Sequence, residues 1–169
     1  MSRRDRSALH LRPGTEGDLD EFIRIWRAIW RHSFAAVLDA DVNDPRFIYG
    51  MEHEYWVPIA RSVFVAELNA RVVGFCFRDL AHIEDLWVDP PAQHHGVGRE
   101  LLAAALSAIA KNAYRTATLD CIEANAAARR FYEREGWRPA FRFITWSQSL
   151  TRHLPRIRFE FDVWRETAR

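Results

Sequence analysis

The densest cluster of groups able to do chemistry lies in HIEDLWVDPPAQHHGVGRELL, residues 82–102. Two adjacent acids, Glu84 and Asp85, stand in a run otherwise typical of a β-strand. Asp89-Pro90-Pro91 stops that run, because proline lacks the N–H that a strand ladder needs. Gln93-x-x-Gly96-x-Gly98 then leads into a helical pattern in which Val97, Leu101, Leu102, Ala105 and Ile109 share one face. A helix start presents unpaired N–H groups and about half a positive charge, which suits a phosphate or pyrophosphate. Glycine at 96 and 98 removes side chains there, and Gln93, His94, His95 and Arg99 offer further donors around the rim. Taken alone, such a turn is equally an ordinary strand-to-helix connection. A P-loop is excluded by the lack of Gly-Lys-Ser/Thr, and the dinucleotide fingerprint by Leu101 where a third glycine belongs.

A second set follows in TLDCIEANAAARRFYEREGW, residues 118–137. Asp120 could take a proton, and the phenol of Tyr132, with an ordinary pKa of about 10, could give one. Cys121 invites a covalent intermediate, yet no histidine lies near it in sequence, and buried cysteines are usually inert fillers. The seven histidines show no His-x-x-x-His spacing, and the side chains of adjacent His94 and His95 diverge, so no metal is expected.

These groups must be held by alternating strands and helices. Leu9–Arg12 reads as a first strand, and Thr15 with Asp18 as a capping box. The box opens a helix whose Leu19, Phe22, Ile23, Trp26, Ile29 and Trp30 recur at helical spacing. Residues 33–58 read as short helices and loops, with acids at Asp39, Asp41 and Asp44 among Phe47, Tyr49, Tyr55 and Trp56. Ser62–Leu68 and Val72–Phe77 flank Asn69-Ala70-Arg71 as a hairpin, followed by a strand over His82–Val88. A helix over Gly96–Ala110, a strand over Thr116–Ile122 and a helix over Asn125–Glu135 ended by Gly136 come next. Trp137–Trp146 and Arg156–Trp164 close the chain as strands, the latter a candidate edge that could pair across a homodimer. Such alternation belongs to an α/β or α+β domain.

The bulk composition sets the remaining bounds. A length of 169 residues with 49% hydrophobic side chains suits one domain, residues 1–169. Lys+Arg 24 against Asp+Glu 23 gives no field that would favour nucleic acid or anionic lipid. No apolar run approaches the roughly 20 residues of a membrane span. Cys76 and Cys121 sit inside apolar stretches, which reads as buried thiols in a reducing compartment, so a cytoplasmic protein is expected.

LWVDPPAQHHGVGRELL resembles the Arg/Gln-x-x-Gly-x-Gly/Ala segment of the GNAT superfamily of acetyl-CoA-dependent N-acetyltransferases, including the preceding strand and the Asp-Pro. ANAAARRFYEREGWRP is similar to that family's downstream signature, with an Asn opening a helix and an aromatic pair closing it before Gly-Trp. His94 and His95 depart from the residues common in the loop. The resemblance implies a mixed, mostly antiparallel sheet of six to seven strands, splayed between the fourth and fifth and flanked by about four helices. It implies acetyl-CoA bound in that splay, with the backbone of Leu86, Trp87 and Val88 along the pantetheine arm. His94, His95, Gly96, Val97, Gly98 and Arg99 would form the pyrophosphate loop. Asn125 would contact the pantetheine, and Tyr132 would protonate the departing thiolate.

The acceptor implied is a primary amine, attacking directly in a ternary complex. Such an amine, with a pKa of about 10.4 if lysine-like, must lose a proton first. In an unbroken strand His82, Glu84, Leu86 and Val88 share one face, which makes Glu84 the first candidate base and Asp120 the second. A bulge would shift that parity. Trp26 to Trp56 would form the acceptor wall. Two other functions fit the same residues: an acyl-CoA-binding sensor without turnover, or an interaction module whose glycine turn is structural.

Overall fold

The computed structural model describes residues 9–34, 63–147 and 152–166. Its centre is a seven-stranded sheet of β1 (His10–Pro13), β2 (Val63–Leu68), β3 (Arg71–Asp79), β4 (His82–Val88), β5 (Thr116–Ile122), β6 (Arg138–Ser147) and β7 (Arg152–Asp162). The spatial order is β1-β2-β3-β4-β5-β7-β6, and only β4 and β5 run parallel. A parallel pair needs a crossover. α2 (Val97–Lys111) provides it, while α1 (Leu19–Ile29), α3 (Ala126–Arg134) and the single turn α4 (Val163–Glu166) complete the described helices. The loops expected over residues 33–58, with the acidic cluster and most of the acceptor wall, lie largely outside the described residues.

Local chemistry explains the element ends. The Thr15 N–H and hydroxyl both donate to Asp18, at 2.8 and 2.9 Å, and Arg12 forks onto the same buried carboxylate at 2.6 and 2.8 Å. The guanidinium holds the Asp18 carboxyl below the ordinary range. Asn69 and Ala70 both take positive φ, 54° and 58°, so the hairpin turn has two left-handed residues, which match the twist of the flanking strands.

The sheet carries a separate apolar cluster on each face. Phe22, Ile25, Trp26 and Ile29 of α1 pack with Val65, Phe75 and Leu154 on one face, the Phe22 and Phe75 rings 4.6 Å apart. Leu101, Ala105 and Ile109 of α2 pack on the other with Cys76, Ile83, Leu119 and Phe159. Gly74 lets α2 lie close, since a Cβ there would stand 3.2 Å from both Leu101 and Val97 and 2.9 Å from the Trp87 carbonyl oxygen.

Two strand expectations are corrected. The last strand begins at Arg152 and ends at Asp162, and it is internal rather than an edge, pairing with β5 on one side and β6 on the other. Pro155 is tolerated because β5 pairing stops at Ile122–Arg156, one residue short of it. The exposed edge is β6, which shows Phe141, Ile144 and Trp146 to solvent. The second correction lies in β4. Phe77 faces Asp85 and Arg78 faces Ile83, so Glu84 is an extra residue in a β-bulge, and the shared face expected for Glu84, Leu86 and Val88 is broken.

Candidate active site

The parallel pair β4–β5 holds together at only two positions, His82–Thr118 and Ile83–Leu119. Beyond them the strands part, leaving a cleft of about 840 Å³ that passes through the sheet from α1 to α3. The antiparallel ladder decides what β4 offers to it. The Asp89 N–H reaches the Val73 carbonyl at 2.8 Å, so by alternation Trp87 turns its backbone to β3, while Leu86 and Val88 turn theirs to the gap. An extended arm laid there finds an open strand edge.

At one end of the gap stands the turn into α2. Gly96 has φ +87° and open space where a Cβ would project, so glycine serves the left-handed conformation while leaving room above the helix start. Gly98 has a different reason. A Cβ there would meet the Phe131 ring at 3.2 Å, so this glycine lets α2 and α3 approach. The Glu100 N–H reaches the Gly96 carbonyl at 3.1 Å, and the N–H groups of residues 97–99 before it have no intrahelical acceptor. Open space, unpaired donors and the helix dipole together fit a diphosphate.

Several expected rim donors have structural duties. Gln93 Nε2 donates to the Val88 carbonyl at 3.0 Å, fastening the loop to β4. His95 Nδ1 lies 2.7 Å from the Gln93 carbonyl oxygen. His94, at φ 65°, is exposed on the cleft lip. Arg99 forks onto Glu135 at 3.1 Å, tying the start of α2 to the end of α3. Asn125 caps α3, its Oδ1 accepting from the Ala128 N–H at 3.1 Å, which leaves its NH₂ as the group able to reach a ligand.

The titratable groups separate by face. Tyr132 is wedged among Phe131, Trp137 and Phe159, with ring centroids 5.3, 6.3 and 5.9 Å away, and burial raises its phenol well above the ordinary value, so it stays protonated. Strand alternation places Asp85 and Trp87 together on the α1 side, where Trp87 Nε1 donates to Asp85 at 2.8 Å. Burial pushes the Asp85 carboxyl up to about 6, with the Trp87 hydrogen bond opposing and the neighbouring Glu84 charge adding to the rise. Glu84 stands at the solvent edge, its side chain 46% exposed and 4.0 Å from His82 Nε2. Asp120 is clamped by Arg158, through Nε and through Nη2 at 2.8 Å, with His82 Nε2 at 3.7 Å. Burial pushes the Cys121 thiol up to about 11, which leaves little thiolate at neutral pH.

Residues 19–137 match the model of the acetyltransferase (GNAT) family. The chain belongs to that family. A GNAT relative from Mycobacterium tuberculosis, named a probable N-acetyltransferase, is 27% identical over 89% of this chain and 92% of its own. Two solved structures share the fold. The PaiA N-acetyltransferase of Thermoplasma acidophilum in complex with coenzyme A superposes with a TM-score of 0.73 at 17% identity, over 92% of this chain and 99% of the other. YncA of Salmonella typhimurium, solved with acetyl-CoA, gives 0.64 at 19%, over 93% and 95%.

The structure thus gathers Glu84, Leu86, Trp87, Val88, Gln93, His94, Gly96, Gly98, Arg99, Asp120, Asn125 and Tyr132 around one cleft. Val97 instead buries its side chain in the core, and His95 turns back on the loop, so each can contribute only backbone or an outer contact. Two cleft residues escaped the sequence reading. Asp85 shares a face with Trp87 by its spacing of two, but its burial beside the gap comes only with the fold. Arg156 lies far along the chain, and nothing near it in sequence hints that it lines the same cleft. Among the described residues no helix is long and apolar enough to cross a membrane.

Proposed function

We propose that this GNAT protein transfers the acetyl group of acetyl-CoA to a primary amine by direct attack within a ternary complex. The observation that carries the reading is the cleft through the sheet, with a phosphate-suited helix start and a neutral phenol toward α2 and α3, and a carboxyl that resists ionisation toward α1. Acetyl-CoA would supply an activated acyl carbon and a thiolate leaving group. The Gly96 turn and the first N–H groups of α2 would hold the diphosphate, and the Leu86 and Val88 backbone with the Asn125 NH₂ would line the arm.

The amine enters from the α1 side and surrenders a proton to Asp85. Of the other carboxylates lining the cleft, Asp120 and Glu135 are paired with Arg158 and Arg99, and Glu84 is bathed by solvent. Asp85 alone combines a place on the cleft wall with burial that makes proton uptake favourable. Tyr132, kept protonated by burial, donates its hydroxyl proton to the departing sulfur. The buried thiol of Cys121 leaves direct transfer the simpler route.

The test is calorimetry with acetyl-CoA, together with a thiol-release assay across polyamines, aminoglycosides, amino acids and peptide N-termini. Binding with amine-dependent thiol release is the expected result. A protein that ignores acetyl-CoA overturns the reading. Binding without release from any amine identifies a sensor instead.

A further inference from the structure

Several arginines of the fold are claimed in pairs: Arg158 holds Asp120, Arg142 holds Glu123 at 3.0 Å, and Arg24 holds Asp89 at 2.7 Å. Arg156 is different. It lies on β7 opposite Ile122, one alternation from Leu154, which places its side chain on the α1 face with Asp85 and Trp87. It lines the cleft, its Nε is shielded from solvent, and that Nε has no hydrogen-bond partner among the described residues. Asp85 feels Arg156 through space, but the two stand outside ion-pair distance of one another. A shielded guanidinium N–H left without an acceptor is costly, so such a group normally has a partner.

On the α1 side the cleft therefore presents a guanidinium with an unpartnered Nε and a carboxyl whose ionisation burial disfavours to the same space. That pattern is complementary to a small zwitterion. An ammonium group favours the Asp85 side, and a planar carboxylate suits the fork of a guanidinium better than it suits a point charge. A dianionic phosphate would sit poorly beside Asp85, Glu84 and Asp120. Trp26, Ile29, Trp30 and Trp146 form the remaining wall, so the body of the molecule meets apolar surface.

Resting on the acetyl-transfer reading above, we propose that the acceptor is an amino acid, whose amine reaches Asp85 while its carboxylate pairs with Arg156. Arg156 is then the residue that determines acceptor specificity.

The experiment compares phenylalanine with phenylalaninamide, and leucine with leucinamide, as acceptors for wild type, Arg156→Gln and Arg156→Lys. Losing a charge-assisted hydrogen bond in a shielded site corresponds to about a 10- to 100-fold loss in kcat/KM. Wild type is expected to prefer each free acid over its amide by that factor. Arg156→Gln should lose the preference through KM for the acid, with a much smaller change for the amide, and Arg156→Lys should keep part of it. Tryptophan fluorescence titration with phenylalanine and its amide gives a second readout that does not require turnover. Equal use of acid and amide by wild type overturns this proposal and leaves acetyl transfer standing, as does a preference that survives Arg156→Gln. A parallel loss on both substrates in Arg156→Gln would show Arg156 to be merely structural. Thiol release with no amine of any kind would overturn both readings.

Discussion

Replacing Asp85 by Asn removes a charge while keeping the shape of the side chain and an oxygen able to accept from Trp87 Nε1. In the folded protein the carboxyl titrates at about 6, against 3.8 for an ordinary Asp. A shift of about two units at 1.36 kcal/mol each means that the ionised form costs the fold about 3 kcal/mol. The sign follows from proton counting. Below pH 3.8 the group is neutral in both states and exacts no penalty. Between 3.8 and 6 the unfolded chain ionises first, so wild type loses stability as pH rises, and above 6 the loss is complete and constant. Asp85→Asn has no such loss. It should therefore be about 1–3 kcal/mol more stable than wild type at pH 8, the lower figure allowing for relaxation around the charge, and about equal at pH 4. Urea unfolding followed by tryptophan fluorescence at pH 4, 6 and 8 measures the gap. The same substitution should lower kcat/KM by about 100-fold or more, because it removes the proton acceptor. A variant no more stable than wild type at pH 8, or a gap that does not change with pH, would refute the assignment of a buried, strained carboxyl. Unimpaired turnover would refute its role as the base.

Tyr132→Phe should lower kcat by about 100-fold while leaving the dissociation constant for acetyl-CoA unchanged by calorimetry, because only the proton donor is lost. Gly98→Leu forces a side chain against Phe131, where even a Cβ would stand at 3.2 Å, and should weaken acetyl-CoA binding and lower Tm by separating α2 from α3. Arg24→Met leaves the buried Asp89 carboxylate, 8% exposed, with only the longer 4.0 Å contact to Arg71, and should cost about 1–3 kcal/mol in urea unfolding.

Much of the site was legible because its signals are local. A left-handed turn demands glycine at 96, a helix start leaves N–H groups open within one turn, and Pro90-Pro91 stops a strand whatever surrounds it. The amphipathic spacing of α1 and α2 likewise follows from burying one face, and the cores on the two faces of the sheet use those same residues. What failed was parity. The bulge at Glu84 reverses the parity of Ile83 relative to Leu86 and Val88, and a bulge depends on how β3 and β4 pair rather than on any residue in β4 alone. The rim donors depend on the fold in a similar way. Gln93, His95 and Arg99 have the right chemistry for phosphate, yet each has a nearer partner supplied by the fold.

By its own pattern the chain determined the element order, the phosphate-suited turn and the two GNAT signatures, since each of these depends on neighbours within a few residues. Tertiary structure decided which acids line the cleft and left the Arg156 Nε there without a partner. Those outcomes are set by encounters between strands, such as Phe77 facing Asp85 in one ladder and Arg156, far along the chain, lining the same cleft as Asp85. Proton affinity and charge balance belong to such encounters, because burial and fields act through space and not along the chain.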